Sequence, residues 1–317
     1  MTLSANAEKV HRLLAKRNAR LKFKEIVAKT ALSTKQVDDA IYELRAAQHR
    51  LAYAKFDKTY FYSESPTWYS EETDLSRVLP VEGTIGLISD THLCSVAERL
   101  DVVNDAYDAF KARGITHVFH TGDISDGWQE YRNHISFVKA HGDQDQAAYV
   151  IKHYPKREGI TTYVIGGNHD DSYGKSKVDR VSLVVHGFQH QGKVIKGRDD
   201  IKYLGPYNHY VRFPQEVIMQ MLHPRGGNAY AKSYRQQKRS EEMDPNRRPD
   251  LQVSGHYHTW NYIWLVGTHF LALPGMQDET EFFVRLGYPR SVGYTILTYK
   301  IEKGRFAFLS PELYMVK

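Results

Sequence analysis

Seven side chains in five short motifs have the types and spacing to hold metal ions. Asp90 and His92 stand two residues apart, Asp123 follows Gly122, Asn168 opens an Asn-His-Asp triplet, His223 stands alone, and His256 and His258 are again two apart. Two carboxylates, one amide oxygen and four imidazoles suit Mn, Fe or Zn better than Ca or Mg, which favour oxygen donors alone. A carboxylate such as Asp123 can bridge two cations. Asp90 and Asp123 would neutralise only part of the charge of two divalent ions, and the surplus would attract phosphate. Two ions ~3.5 to 4 Å apart can clamp phosphoryl oxygens and lower the pKa of a bridging water until hydroxide is available at neutral pH. The chemistry expected here is hydrolysis at phosphorus by metal-activated hydroxide.

The elements that position these motifs are short, β-rich apolar runs. Residues 84–89 precede Asp90, 117–120 precede Asp123, 163–165 precede Asn168, 217–222 precede His223 and 251–253 precede His256, with helical stretches between them. In layered α/β folds the C-terminal ends of strands lie along one rim, so donors far apart in sequence can converge there.

In this order, Asp90-x-His92, Gly122-Asp123, Gly166-x-Asn168-His169-Asp170, His223 and Gly255-His256-x-His258 resemble the five motifs of the calcineurin-like metallophosphoesterase superfamily. The resemblance covers roughly residues 83–317. It implies an α/β fold, specifically a four-layer α/β/β/α sandwich, and a pair of divalent ions, Mn2+ first with Fe or Zn as alternatives. One ion would take Asp90, His92, Asp123 and His258; the other would take Asp123, Asn168, His223 and His256. His169 would protonate the leaving oxygen or bind a phosphoryl oxygen, as a His titrating near neutrality can. Asp126 matches the family carboxylate that orients this His, the role favoured here over merely capping a helix that begins at Gly127. Where phosphoprotein phosphatases carry Arg after that Asp, this chain has Gly127, and where the lipid-A-precursor hydrolases carry Arg, it has His169. Phosphodiesterases and nucleases remain, with the double-strand-break repair nucleases as the natural comparison.

The N-terminal segment reads differently. Residues 1–60 hold 13 Lys and Arg against 6 Asp and Glu, a net +7, so the rest of the chain sums to −1 and the basicity belongs to this segment. Ala7, Val10, Leu13 and Leu14 have helical spacing, Phe23, Ile26 and Val27 form a second apolar pattern, and Ser33 and Thr34 can cap a third helix carrying Val37, Ile41 and Leu44 inward. A β-rich stretch at 51–62 follows. The order resembles a winged helix-turn-helix domain, whose third helix would present Lys35, Gln36 and Arg45 and whose wing would present Lys55 and Lys58 to phosphate or base edges. A protein-docking or dimerisation module and a merely solvated basic surface are the alternatives. Residues 63–82, with two prolines and clustered acids, read as a linker between domains at 1–62 and 83–317.

Past His223, Gly226-Gly227 feed a helical stretch in which Lys232, Arg235 and Arg239 would share a face and Tyr230 and Tyr234 would stack, either for a nucleic-acid strand or as an ordinary solvated helix. Cys94 is either a third-party thiolate near the metal or a small buried hydrophobe. It is the sole cysteine, so no internal disulfide is expected. The 41% hydrophobic and 25% charged content excludes disorder and rod-like folds. The absence of a ~18-residue apolar run or a secretory h-region points to a cytoplasmic protein with no membrane association. The expected function is a dimetal phosphoesterase acting on nucleic acid, DNA before RNA, with oligomeric state left open. A small-substrate phosphatase or nucleotide phosphodiesterase with a docking N-terminal domain is the alternative, and a non-catalytic DNA-binding scaffold is a third reading.

Overall fold

The computed structural model describes residues 3–47, 49–55, 57–62, 72–171, 178–227, 231, 233–287 and 290–316, apart from the side chains of Phe282 and Leu286. The chain divides into two compact units, Met1–Asp74 with Arg239–Arg248, and Leu75–Lys238 with Pro249–Lys317.

The first unit contains α1 (Ala5–Leu14), β1 (Leu21–Lys22), α2 (Phe23–Thr30), α3 (Thr34–Ala46), β2 (Leu51–Ala54), β3 (Thr59–Tyr62) and β4 (Glu72–Asp74). Ser4 caps α1 by accepting from the Ala7 N–H. Ser33 caps α3 in a reciprocal box with Gln36, two otherwise orphaned donors being satisfied at once. Val10, Leu14, Ile26, Val37, Ile41 and Leu44 bury their side chains together with Leu51 and Tyr60. β1, β3 and β2 form a three-stranded antiparallel sheet. The segment Arg239–Arg248 joins this unit, the Asn246 carbonyl accepting from the Lys55 N–H at 3.4 Å.

The face of α3 departs from expectation. Arg45 does not project outward: it lies 3.7 Å from Asp74 and 5.7 Å over the Tyr60 ring, with its side chain 11% exposed. Gln36 is engaged in the cap. The exposed positions of α3 include Asp38 and Asp39 beside Lys35, whereas Lys9, Arg12, Lys16, Arg17, Arg20, Lys22, Lys24 and Lys29 are all exposed between α1 and the end of α2. Amphipathic spacing found the buried stripe; it could not reveal that Arg45 would be drawn to an acid nearly thirty residues on.

The second unit runs β5 (Glu82–Ile88), α4 (Leu100–Ala112), β6 (His117–His120), α5 (Asp143–His153), β7 (Thr161–Gly166), α6 (Arg180–His186), β8 (Gly187–His190), β9 (Lys193–Lys196), β10 (Ile201–Pro206), β11 (Asn208–Arg212), β12 (Ile218–Leu222), α7 (Tyr234–Glu242, shared with the first unit), β13 (Leu251–Ser254), β14 (Asn261–Leu265), β15 (Thr268–Ala272), α8 (Glu281–Leu286), β16 (Gly293–Glu302) and β17 (Arg305–Met315). One sheet has the order β10-β7-β6-β5-β16-β17, its first four strands parallel. The other has β14-β15-β13-β12-β11, with β12, β13 and β15 parallel. Leu87, Phe119, Ile165 and Tyr299 of the first sheet meet Val211, Met219, Met221 and Val253 of the second in one apolar core. Helices α4, α5 and α6 cover the other face of the first sheet through Val103, Tyr107, Phe110, Val150 and Val181.

Leu75 and Leu79 belong to the inter-sheet core, so the second half of the expected linker is packed structure; residues 63–71 lie outside the described residues. No described helix is long and apolar enough to cross a membrane.

Candidate metal centre

β5, β6 and β7 are adjacent and parallel, so Asp90, Asp123 and Asn168, each just past a strand end, fall on one edge; β12 and β13 do the same for His223 and His256. Backbone bonds lock the loops together. Asp90 N–H donates to Gly122 O at 2.9 Å and His92 N–H to Asp123 O at 3.0 Å. The His256 N–H reaches both carboxylate oxygens of Asp90 at 3.0 Å, and the His169 N–H reaches Asp123 Oδ1 at 2.8 Å.

The loops turn unusually tightly. Asp90, His92, Asp123, His256 and His258 all have positive φ, at 51, 42, 56, 78 and 49°. Left-handed backbone at a non-glycine residue costs on the order of 1–3 kcal/mol and persists where the surroundings over-determine it. Two glycines make room for the donors: a Cβ on Gly167 would run into Asp123 Oδ1, and one on Gly275 would stand 2.5 Å from His258 Nδ1.

The ring orientations reveal what the site accepts. His223 Nδ1 donates to the Thr121 carbonyl at 2.8 Å, which leaves the Nε2 lone pair facing Asn168 Oδ1 and Asp123 Oδ2, both at 3.1 Å. His256 Nε2 donates to the Gly226 carbonyl at 2.9 Å, leaving Nδ1 bare. His92 Nδ1 donates to Asp126 Oδ1 at 2.9 Å, and its Nε2 faces His258 Nε2 at 3.2 Å, with Asp90 Oδ1 3.4 Å from the latter. Acceptors aimed at acceptors need a cation between them. Ligand atoms of Asp90, His92 and His258 converge within 4.8 Å, as do those of Asp123, His223 and His256. The residues therefore fit divalent ions by donor type and by the direction of their lone pairs, and Asp123 Oδ2 lies 3.1 Å from His223 Nε2 and 3.8 Å from His92 Nε2, within reach of both clusters.

Electrostatics agree. Burial opposes ionisation of Asp90, but His258 and His223 outweigh it and hold its carboxyl well below the usual range. Burial likewise opposes charge on His92 and His223, yet hydrogen bonding to Asp126 and the nearby carboxylates push His92 up to about 9, and Asp123 pushes His223 up to about 9.

The surroundings of His169 differ from expectation. Its Nδ1 donates to the backbone carbonyl of Asp126 at 2.5 Å, while the Asp126 carboxylate is 3.7 Å away. That carboxylate instead receives His92 and, at 3.1 Å, His134 Nε2. Asp126 thus orients His169 through its main chain and a metal-facing imidazole through its side chain. Burial pushes His169 down to about 4, so the ring is neutral at pH 7 with its lone pair on Nε2, and must take up a proton before it can give one.

Several supporting residues have no sequence signal. His134 is fully buried against Asp126. Asp170 accepts from the N–H groups of Ile124, Ser125 and Gly167, splinting the Asp123 loop to the Asn168 loop. Arg180, 1% exposed, donates to Asp143 at 2.6 Å, to Ser125 Oγ at 3.1 Å and to the His169 carbonyl. Cys94 is fully buried beneath the site; burial and Glu98 push its thiol up, so it behaves as a hydrophobe and not a thiolate. Asn228, Tyr230 and Lys232 lie outside the described residues. A cavity of about 570 Å³ opens over the centre, lined by His92, Asp123, Asn168, His169, His256 and His258 and walled by Glu130, Tyr131, Arg225, Tyr257 and Phe283 among others.

The sequence profile described as calcineurin-like phosphoesterase matches residues 83–260. No curated protein matches the chain. Among solved structures, an archaeal phosphodiesterase is 14% identical over 73% of this chain and 100% of its own, with a TM-score of 0.39. Vacuolar protein sorting 29 of Cryptosporidium parvum is 13% identical over 74% and 99%, TM-score 0.36. A predicted phosphoesterase of Streptococcus pneumoniae TIGR4 is 14% identical over 74% and 100%, TM-score 0.35.

Proposed function

The chain belongs to the calcineurin-like phosphoesterase family and is a metal-dependent phosphoesterase hydrolase, and from that we propose that it hydrolyses phosphodiester bonds in nucleic acid, DNA before RNA. The observation that carries the reading is the pair of donor clusters, Asp90–His92–His258 and Asp123–His223–His256, with Asp123 Oδ2 also 3.8 Å from His92 Nε2, beside a cavity lined by His169.

Asp90, His92, Asp123 and His258 would hold one ion, and Asp123, Asn168, His223 and His256 the other, Mn2+ first with Fe or Zn as alternatives. Bound there, two divalent ions would supply Lewis acidity toward phosphoryl oxygen and an acidified water as nucleophile. The chain's own part is orientation. The carbonyls of Thr121 and Gly226 and the carboxylate of Asp126 fix the rings of His223, His256 and His92, so no rotamer search precedes reaction. His169, held at Nδ1 by the Asp126 carbonyl, keeps Nε2 for the leaving oxygen, to which it would pass a proton taken up with the anionic substrate.

Nucleic acid is favoured by a cavity far larger than one phosphate and by the eight exposed cations between Lys9 and Lys29, which would gain affinity by releasing phosphate counterions. In this reading the first unit is a winged helix-turn-helix module contacting phosphates through α1 and α2, and the second completes a four-layer sandwich in a cytoplasmic protein. A second reading has one specific support. Asp38 and Asp39 on the exposed face of α3 would be repelled by phosphate, which suits a docking or dimerising module attached to a small-substrate phosphodiesterase.

Purified protein with Mn2+, as wild type and His169→Ala, assayed on labelled single- and double-stranded DNA, RNA and a bis-aryl phosphodiester, separates the two. Polymer cleavage that the variant loses is expected. Turnover of the small ester alone would overturn the nucleic-acid reading.

A further inference from the structure

His134 lies outside the five motifs, eight residues beyond Asp126, at the start of a 3-10 turn spanning His134–Phe137. Its side chain is fully buried, and both ring nitrogens have partners that fix the tautomer. The Glu130 N–H, which can only donate, faces Nδ1 at 3.2 Å, so the lone pair is on Nδ1 and the proton on Nε2. That Nε2–H donates to Asp126 Oδ2 at 3.1 Å. The Tyr131 ring stacks on the imidazole, centroids 4.1 Å apart and planes 20° from parallel. The far end of the turn is pinned as well, the Val96 N–H reaching the Phe137 carbonyl at 2.8 Å and the Lys139 N–H the Cys94 carbonyl at 2.7 Å.

Asp126 is where this ring meets the metal centre. Its Oδ2 takes His134, while its Oδ1 takes the His92 Nδ1–H at 2.9 Å and the Gln277 amide at 3.3 Å. The last torsion of an Asp side chain is soft, so a partner on one oxygen leaves the carboxylate plane loosely set. A donor on the other oxygen fixes that plane, and with it the direction in which His92 presents Nε2 to His258, Asp123 and Asp90, at 3.2, 3.8 and 4.0 Å. His223 and His256 are turned instead by the backbone carbonyls of Thr121 and Gly226. The orientation of His92 thus depends on a side chain one step behind it, and theirs does not. Ligand atoms of Asp126, His134 and His169 also converge within 4.8 Å, but they need no cation: the His134 Nε2–H and the His169 Nδ1–H each already face an oxygen of Asp126.

We infer that His134 is a positioning residue for the metal centre: by holding the Asp126 carboxylate in place behind His92, it sets how tightly the Asp90–His92–His258 cluster keeps its ion and leaves the Asp123–His223–His256 cluster unaffected. The inference rests on the metal-dependent reading above and adds to it a residue two hydrogen bonds behind a ligand.

The test is Mn2+ uptake by the full, metal-stripped chain, read by chelator competition, on wild type, His134→Phe, His134→Asn and His134→Gln. Phe keeps a ring for Tyr131 and removes both hydrogen bonds. Asn can still accept from the Glu130 N–H but falls short of Asp126, whereas Gln carries an amide N–H to about the place of Nε2. Wild type is expected to take up two equivalents. In the Phe and Asn variants one equivalent weakens about tenfold, the lower end of what an outer partner of a metal-binding imidazole contributes; the other stays within about twofold, and Gln restores most of the loss. Thermal melting of the metal-free chains reads folding separately, and if the Phe variant does not fold, the Asn and Gln pair decides. Unchanged affinity in His134→Asn overturns the inference, as does equal weakening of both equivalents, which would mark a general loosening of the loops. A third equivalent in wild type that vanishes in all three variants would make His134 a ligand and overturn it too. A wild type that takes up no divalent ion would sink the metal-dependent reading itself, and this inference with it.

Discussion

Replacing Asp126 by Asn distinguishes what its side chain does from what its main chain does. The carboxylate receives the His92 Nδ1–H at 2.9 Å, the His134 Nε2–H at 3.1 Å and the Gln277 amide at 3.3 Å, while His169 rests on the Asp126 carbonyl. Asn preserves the volume and the carbonyl, so the His169 contact survives. The amide offers one oxygen where the carboxylate offered two, and one imidazole N–H must therefore face an NH2. The negative charge that makes His92 a strong donor also disappears. Loss of such a partner behind a metal-binding imidazole lowers metal affinity about 10–100-fold, or about 1.4 to 2.7 kcal/mol. Chelator-competition titration of Mn2+ on wild type and variant measures it, with thermal melting to confirm folding and turnover recorded at low and saturating metal. Affinity should fall within that range, and turnover should largely recover as metal is raised. A variant that binds Mn2+ as tightly as wild type yet loses turnover as completely as His169→Ala would refute the argument and put the carboxylate on His169.

Three further outcomes follow from buried groups. Asp143→Ala leaves the fully buried Arg180 without its 2.6 Å partner, and denaturant unfolding should show a loss of about 3–5 kcal/mol; under 1 kcal/mol would mean that Arg180 is satisfied elsewhere. Gly275→Ala brings a methyl 2.5 Å from His258 Nδ1 and should cost about 1–3 kcal/mol while lowering the bound-metal count, with unchanged stoichiometry by elemental analysis counting against the close approach. Burial pushes His209 on β11 down to about 4, against an ordinary value of 6.5, so the unfolded chain takes up this proton first as pH falls. Its contribution is present above pH 6.5, is lost between pH 6.5 and 4, and amounts to about 3 kcal/mol; His209→Gln should flatten the pH dependence of unfolding by that amount, and an unaltered slope would show that His209 charges freely in the fold.

What the sequence discloses here depends on distance along the chain. The strand ends at Ile88, His120, Gly166, Leu222 and Ser254 are legible because short β-branched and apolar runs stop at polar motifs, and the motifs themselves are local patterns. The caps Ser4 and Ser33 are equally local. Whatever needs a partner from elsewhere is not. Arg45 looks like a solvent-facing helix residue until Asp74 is beside it, and His134 looks like a surface histidine until it meets Asp126. The assignment of Arg239–Arg248 to the N-terminal unit is a fact of tertiary contact that no composition shift announces. Asp126 shows the limit within a motif: spacing identifies the residue, but whether its carboxylate or its carbonyl faces His169 is decided by a few ångströms of loop geometry.

The left-handed backbone at Asp90, His92, Asp123, His256 and His258 sets the interests of the fold against those of the site. Five such residues at about 1–3 kcal/mol apiece rival the whole net stability of an ordinary domain, about 5–15 kcal/mol. Glycine at any of them would relax the chain while deleting a donor. The same exchange at Asp90, Asp123 or His258 would strand its buried ion partner, so the strain is held in place by the pairing of these carboxylates and imidazoles with one another. A descendant that keeps the two sheets but shows glycine at these five positions would be read as one that had stopped holding metal.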